Sequence, residues 1–210
     1  MKKQDLQSII LPAVKLNNVK SVLKALKQRK TIREISDKEI SLQMLSDLLW
    51  AACGVNRKKG PFGLPGRTAA SASNSQEIDV YVVLREGTYL YDPFHHSLLP
   101  VVKGDLRPLT INKGQADLVA DTPVNFIYVV DIHRLSHTSG YQEPGLQDPE
   151  VQKSYYFADT GLIAGNASVF AASKGLASWF HNCNKPALKT KLKLSPGRRV
   201  LFGQTFGYPG

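Results

Sequence analysis

The 210-residue sequence has no acidic residue after Asp159, only two cysteines, and no apolar run near the ~18 residues a membrane span needs. The first absence leaves Lys174, Lys185, Lys189, Lys191, Lys193, Arg198 and Arg199 unopposed within a net formal charge of +10. Such a field attracts anions, whether nucleic acid, acidic surfaces or phosphorylated small molecules. Neither zinc-finger spacing nor an RNA-binding aromatic signature accompanies it, so nucleic acid is not the expected partner. Nor is a membrane. Cys53 and Cys183 are too few for a disulfide framework or a zinc site, and both read as buried thiols. Ile9-Ile10-Leu11 is too short for the apolar part of an export signal, which makes a cytoplasmic location the expectation. The strand, Gly-x-Gly-x-x-Gly, helix fingerprint of dinucleotide folds is absent, as are internal repeats. His133 and His137 are four apart but lack the Glu of a zinc-protease helix, and His95-His96 carry still less, so no metal is expected.

The length suits one domain. Residues 1–18 read as an extended arm, since Pro12 discourages a helix, and 19–210 as a single domain. Val19, Val22, Leu23 and Leu26 recur at helical spacing and predict a helix over 19–29. Ser36-Asp37-Lys38-Glu39 reads as a capped turn before a second helix, 41–53, ended by Gly54. Residues 54–67, dense in glycine, proline and cations, form a loop. Strands are expected over 79–84 and 87–92, joined by a turn at Glu86-Gly87, with a short third strand over 97–102. One or two short helices over 104–118 lead to a buried central strand, 124–130. Residues 138–149 form a loop long enough to act as a lid. A long helix over 150–174, stopped by Gly175, is followed by a strand (176–180), a helix (185–194) and a strand (199–207). The order is that of an α+β fold, a few-stranded sheet with helices packed on it.

Three stretches could carry chemistry. Arg29, Lys30, Thr31 and Arg33 put three cations and a hydroxyl within five residues, a set that suits a phosphate. Read blandly, they are a solvated helix end. Arg67 to Gln76 is small and hydrogen-bonding, which lets a backbone approach a flat ligand or makes a short polar helix or loop. Ala158, Gly161, Ala164, Gly165, Ala167, Ser168, Ala171 and Ala172 leave little bulk along the long helix. Another helix, such as a dimer partner's, or a cofactor ring can then come close.

With these pieces in order, the chain resembles the FMN-dependent nitroreductase superfamily, and within it the branch of dehydrogenases that oxidise azoline rings in peptide natural products. Arg29-Lys30-Thr31-Ile32-Arg33 resembles the family's Arg-Arg-Ser-x-Arg start, and Leu45 to Asn56 its following helix. Arg67 to Gln76 resembles the Arg-Thr-x-Pro-Ser-x-x-Asn-x-Gln flavin segment. Ala158 to Asn166 resembles the long helix, and Gly203 to Pro209 the closing Gly-Tyr-Pro strand. Together they cover residues ~20–210.

The resemblance implies a nitroreductase-like α+β fold, with a central, mostly antiparallel sheet flanked by helices, in an intertwined homodimer with FMN at the subunit interface. Arg29, Lys30, Thr31 and Arg33 would hold the flavin's phosphate and ribityl chain. Ser71, Ser73 and Asn74 would reach its ribityl or pyrimidine side from the partner subunit. The Ala177–Asn182 stretch would offer backbone donors near the ring, with His181 and Asn182 as ring-side contacts. The implied activity is ping-pong hydride transfer from NAD(P)H, through the flavin N5, to an electron-poor acceptor such as a quinone, nitroaromatic or enone. The alternatives are a flavin dehydrogenase acting on a peptide- or carrier-bound substrate, or a non-catalytic flavin-binding protein. The chain departs from the family at Ala70, which replaces the motif proline, and at His181, where close relatives carry Arg. It also stops at Gly210, where many relatives continue with further phosphate-binding cations. The Lys and Tyr roles associated with azoline oxidation have no match.

Overall fold

The strand β7 (Val124–Asp131) is the axis of the protein. All but its last residue are buried, because it has sheet neighbours on both edges and covering layers on both faces. The structure, a computed structural model, describes residues 5–15, 21–141 and 144–210. Its main sheet has seven strands in the order β1-β6-β5-β4-β7-β9-β8, and every pairing is antiparallel. The other members are β1 (Ile9–Ile10), β4 (Ile78–Val83), β5 (Gly87–Asp92), β6 (Ser97–Lys103), β8 (Ala177–His181) and β9 (Arg198–Gly207). The few-stranded sheet expected from the sequence is therefore an underestimate, since the arm contributes β1 and the closing segment spans ten residues.

Side-chain alternation sorts the core into two layers. Ile78, Val80 and Val82 of β4 share one face with Phe126, Tyr128 and Val130 of β7. That face lies beneath α2 (Leu42–Cys53) and α4 (Pro149–Lys174), which add Leu45, Leu48, Leu49, Ile163, Ala164 and Ala167. Tyr81, Val83, Ile127 and Val129 face the other way, against Leu188 and Leu192 at α5 (Lys185–Lys191).

Local chemistry fixes the ends. Ser21 caps α1 (Val22–Gln28) through the Lys24 N–H, so this helix is shorter than expected. Part of the expected 19–29 helix, and of the 1–18 arm, lies outside the described residues. Ser41 caps α2 rather than Ser36, by accepting from the Met44 N–H at 3.2 Å. The 54–67 loop holds a small two-stranded ribbon, β2 (Val55–Arg57) with β3 (Gly66–Arg67). Asp148 caps α4, and Gly175, at φ +75°, ends it in the left-handed conformation. The last helix is shorter than 185–194: Leu192 is its C-cap, and Lys193 turns to φ +51°. A short helix α3 (Ile132–Ser136) follows β7.

Candidate functional site

After α1 the chain leaves helical geometry at Arg29 (φ −60°, ψ 119°) and runs along the outer edge of β8, the last strand of the sheet. The Ile32 N–H donates to the Ser178 carbonyl at 3.2 Å. Further on, Ser36 N–H donates to Tyr208 O and Gly210 N–H to Glu34 O, so the C-terminal residues hold the segment from its far end. In an antiparallel strand a residue's N–H and C=O point to the same side, and alternate residues share that direction. Phe180 thus turns its backbone outward as Ser178 does. Beside this edge is an open groove of ≈ 460 Å³ bounded by Lys30, Ile32, Ser168, Ala172, Gly175 and Ser178. Among the described residues no carboxylate or imidazole lines it.

Lys30 faces the groove, and Arg29 and Thr31 are exposed. Among the described residues none of these three side chains makes a hydrogen bond or ion pair. Arg33 is also exposed, its guanidinium 5.7 Å from the centre of the Trp179 ring. Uncommitted cationic donors along the outer edge of β8 fit an oxyanion such as phosphate. The groove floor is held from below. Gln204, fully buried, donates to the Ser168 and Ser178 hydroxyls, each at 2.9 Å, and accepts from the Tyr128 hydroxyl. Sequence reasoning missed this cluster of four. Its one signal was Gln204 itself, a long polar side chain amid the Val200–Phe206 part of the closing strand.

His181 does not border the groove. Ser178 and Phe180 turn their side chains toward the α4 side, and alternation sends Trp179 and His181 to the opposite face. There the imidazole is only 9% exposed. Its Nδ1 lies 3.0 Å from the Asn182 carbonyl and its Nε2 2.8 Å from the Thr205 hydroxyl. Burial pushes its pKa down to about 4. Gly203 sits against it, where a Cβ would fall 2.5 Å from the Thr110 carbonyl and 2.7 Å from the imidazole. Asn182 is exposed at the end of β8.

Ser71, Ser73 and Asn74 lie elsewhere. Their loop is tied to the first half of α4, where Asp159 accepts from the Ala72 N–H at 2.8 Å. Ser168 and Ala172, at the groove, are about 13–20 Å further along that helix. One chain therefore does not bring the two sets together. The loop's polar groups also serve the loop itself. Ser71 Oγ accepts from Gln76 N–H at 3.0 Å, Ser73 Oγ donates to Gly140 O, and Asn74 Nδ2 donates to Pro61 O, both at 2.9 Å. Ser73, Asn74 and Gln76 all have positive φ, from 48° to 55°, an arrangement that persists only where surrounding bonds enforce it.

Along α4, Ala158, Gly161, Leu162 and Gly165 are exposed, and a Cβ added at either glycine would meet nothing within 4 Å. Val22, Leu23 and Leu26 of α1 are exposed too. The rings of His133 and His137 stack at 3.8 Å, and among the described residues no cluster of three or more His, Cys, Asp or Glu could hold a metal. No described helix is long and apolar enough to cross a membrane.

Comparison with known proteins gives this geometry a context. A candidate nitroreductase of Ralstonia eutropha is 32% identical, with a TM-score of 0.84, covering 97% of this chain and 90% of that one. A candidate nitroreductase of Methanocaldococcus jannaschii is 26% identical over 93% of this chain and 98% of its own length. The Escherichia coli microcin synthetase McbBCD complex contains a chain of the same fold, with a TM-score of 0.71 at 16% identity, covering 100% of this chain and 79% of that one. The nitroreductase family model matches residues 26–208, which is nearly the whole sequence, and the chain belongs to the nitroreductase family of oxidoreductases.

Proposed function

We propose that the protein is an FMN-dependent oxidoreductase that works as a homodimer, taking reducing equivalents from NAD(P)H and delivering them to an electron-poor small molecule such as a quinone, nitroaromatic or enone. The observation that carries this reading is the set of uncommitted cations, Arg29 and Lys30, beside the outer edge of β8. Bound FMN would supply the two-electron chemistry, which the residues lining the groove cannot supply themselves. Arg29, Lys30, Thr31 and Arg33 bind the phosphate and ribityl chain. The outward backbone of Phe180 would offer hydrogen bonds to the ring, the Ser178 carbonyl being already taken by the Ile32 N–H, and Asn182, exposed at the end of β8, would be a ring-side contact. Cationic and backbone donors of this kind stabilise negative charge on a reduced ring. His181, buried and facing away, takes no part in ring contact.

Two features of the single chain support the dimer. The exposed small and apolar stripe of α4 and the exposed leucines of α1 form an unpartnered face. The Ser71–Asn74 loop sits too far along α4 to serve its own groove, and in the dimer a second copy would deliver it. Because that loop's hydroxyls and amide are engaged internally, it presents a fixed backbone shape rather than free side chains.

The test is an absorbance spectrum of the purified protein followed by anaerobic NADH and NADPH. Flavin bands that bleach with either nucleotide support the reading. Bands that persist point to a flavin dehydrogenase fed by its own substrate, the alternative suggested by the shared fold of the McbBCD chain. They also admit a non-catalytic flavin protein, separated from it by a lack of turnover with any substrate. A colourless protein that takes up no added FMN overturns the proposal.

A further inference from the structure

Helix α4 carries four serine and threonine hydroxyls, and three of them are spent on the helix itself. Ser154 donates to the Val151 carbonyl, Thr160 to that of Tyr156 and Ser173 to that of Phe170, each at 2.7 Å. Such bonding back to the preceding turn is the usual use of a hydroxyl inside a helix. Ser168 is the exception. The carbonyl one turn before it, that of Ala164, takes the buried amide of Gln204 instead, at 3.3 Å.

The neighbours of that amide fix which way it points. Only its nitrogen can face the Ala164 carbonyl, and its Oε1 accepts from the Tyr128 hydroxyl. The Nε2 hydrogens therefore go to the oxygens of Ser168 and Ser178, each at 2.9 Å. At 3.4 Å these two oxygens are too far apart for a strong bond to each other. Neither hydroxyl donates to any other described group, so both protons are available. Ser168 and Ser178 border the groove beside β8, which Lys27 and Lys30 also line and to which the described residues bring no carboxylate.

Resting on the FMN reading above, we propose that Ser168 and Ser178 donate to the phosphate of the bound nucleotide as neutral partners of Lys30, and that Gln204 is the positioning residue that holds both hydroxyls in this role. A hydroxyl oxygen that already accepts from an amide keeps its own proton for an acceptor in the groove. Phosphate oxygens offer acceptors alone, and hydrogen bonds to them are strengthened by their charge. The buried polar cluster in the closing strand thus has a use outside the core.

The experiment is fluorescence titration with FMN and, in parallel, with riboflavin, which lacks the phosphate. Ser168→Ala and Ser178→Ala should each weaken FMN binding about tenfold and leave riboflavin binding unmoved. Gln204→Met should weaken FMN binding severalfold in the wild-type background. In the Ser168→Ala, Ser178→Ala background it should have no further effect, because the glutamine acts through the two hydroxyls. If Gln204→Met does not fold, a crystal of the wild type with FMN decides, with both Oγ atoms expected about 3 Å from phosphate oxygens. Undiminished FMN binding by either folded serine variant, an equal fall in riboflavin binding, an equal effect of Gln204→Met in both backgrounds, or a phosphate bound away from the two hydroxyls each overturns the proposal and leaves the flavin reading standing. A wild type that binds no FMN overturns both.

Discussion

The carboxyl groups of Glu77 and Asp159 are neighbours inside the protein, at 0% and 5% exposure, and border one small cavity. Glu77 also accepts from the Ser75 hydroxyl at 2.6 Å, and Asp159 from the Ala72 N–H at 2.8 Å, so the pair sits directly beneath the Ser71–Gln76 loop. Around it lie the buried Tyr141 hydroxyl, which has no hydrogen-bond partner, and Arg134, which donates to the Glu77 carbonyl at 3.4 Å. Burial, then the neighbouring Asp159, pushes the Glu77 pKa up to about 7. Two carboxyls this close hold one proton between them, and the titration belongs to the pair.

A carboxyl whose folded pKa exceeds its unfolded value binds more protons when folded, so its contribution is complete below the unfolded value of 4.5 and is lost as pH rises through about 7. Urea unfolding of the wild type and of Glu77→Gln at several pH values checks this. The wild type should lose stability relative to the variant between pH 5 and 8, by an amount of order 1–3 kcal/mol. A constant difference across that range would mean that the pair is ionised throughout.

His181 runs the other way. Its folded pKa of about 4 lies below its ordinary 6.5, so the folded protein binds fewer protons between those values. Its contribution is present above pH 6.5 and is lost as pH falls toward 4. An NMR titration of the imidazole should show the neutral form persisting below pH 5.5. Titration of His181 near 6.5 would place the ring in contact with solvent and reopen a role for it at the flavin.

Much of this was legible in the sequence, and the failures have physical causes. Strands β4, β5, β7 and β9 follow from alternation or continuous apolar runs, and α4 from a capped, Pro-started segment closed by glycine. The strand β1 was not legible, because two residues pairing with β6 leave no periodicity. Arg29, Lys30 and Thr31 stood out by charge and spacing, and they do lie free along the edge of β8. His181 misled because face selection in a five-residue strand depends on which neighbour covers it. Glu77 and Asp159 are distant in sequence, and only the packing of α4 on the start of β4 makes them a pair.

The exposed stripe of α4 gives a direct test of the dimer. Gly165 has open space at its Cβ position, and replacing a helix-interior glycine by a better helix former is stabilising by up to ~1 kcal/mol in a single chain. Gly165→Glu should therefore leave the monomer folded, with an unchanged or slightly higher midpoint of thermal unfolding, while a charge on the stripe breaks the association. Light scattering after size-exclusion chromatography should show a shift from dimer to monomer, with loss of bound flavin. A dimer that survives this change would place the interface elsewhere.

Arg29→Ala and Lys30→Ala test the phosphate contacts without disturbing the fold, because neither side chain has a partner among the described residues. A hydrogen bond to a charged group contributes about 1.5–3 kcal/mol, which corresponds to roughly a ten- to hundredfold loss of FMN affinity per residue. Fluorescence titration of FMN measures the loss, and thermal unfolding of the flavin-free protein should be unmoved. Riboflavin, which lacks the phosphate, supplies the control. Its weaker binding should be the same in wild type and variants if these cations hold the phosphate. If riboflavin binding falls in step with FMN, the two residues act on the ring or on the shape of the groove, and the phosphate must be held by other donors, with Arg33 the next to examine.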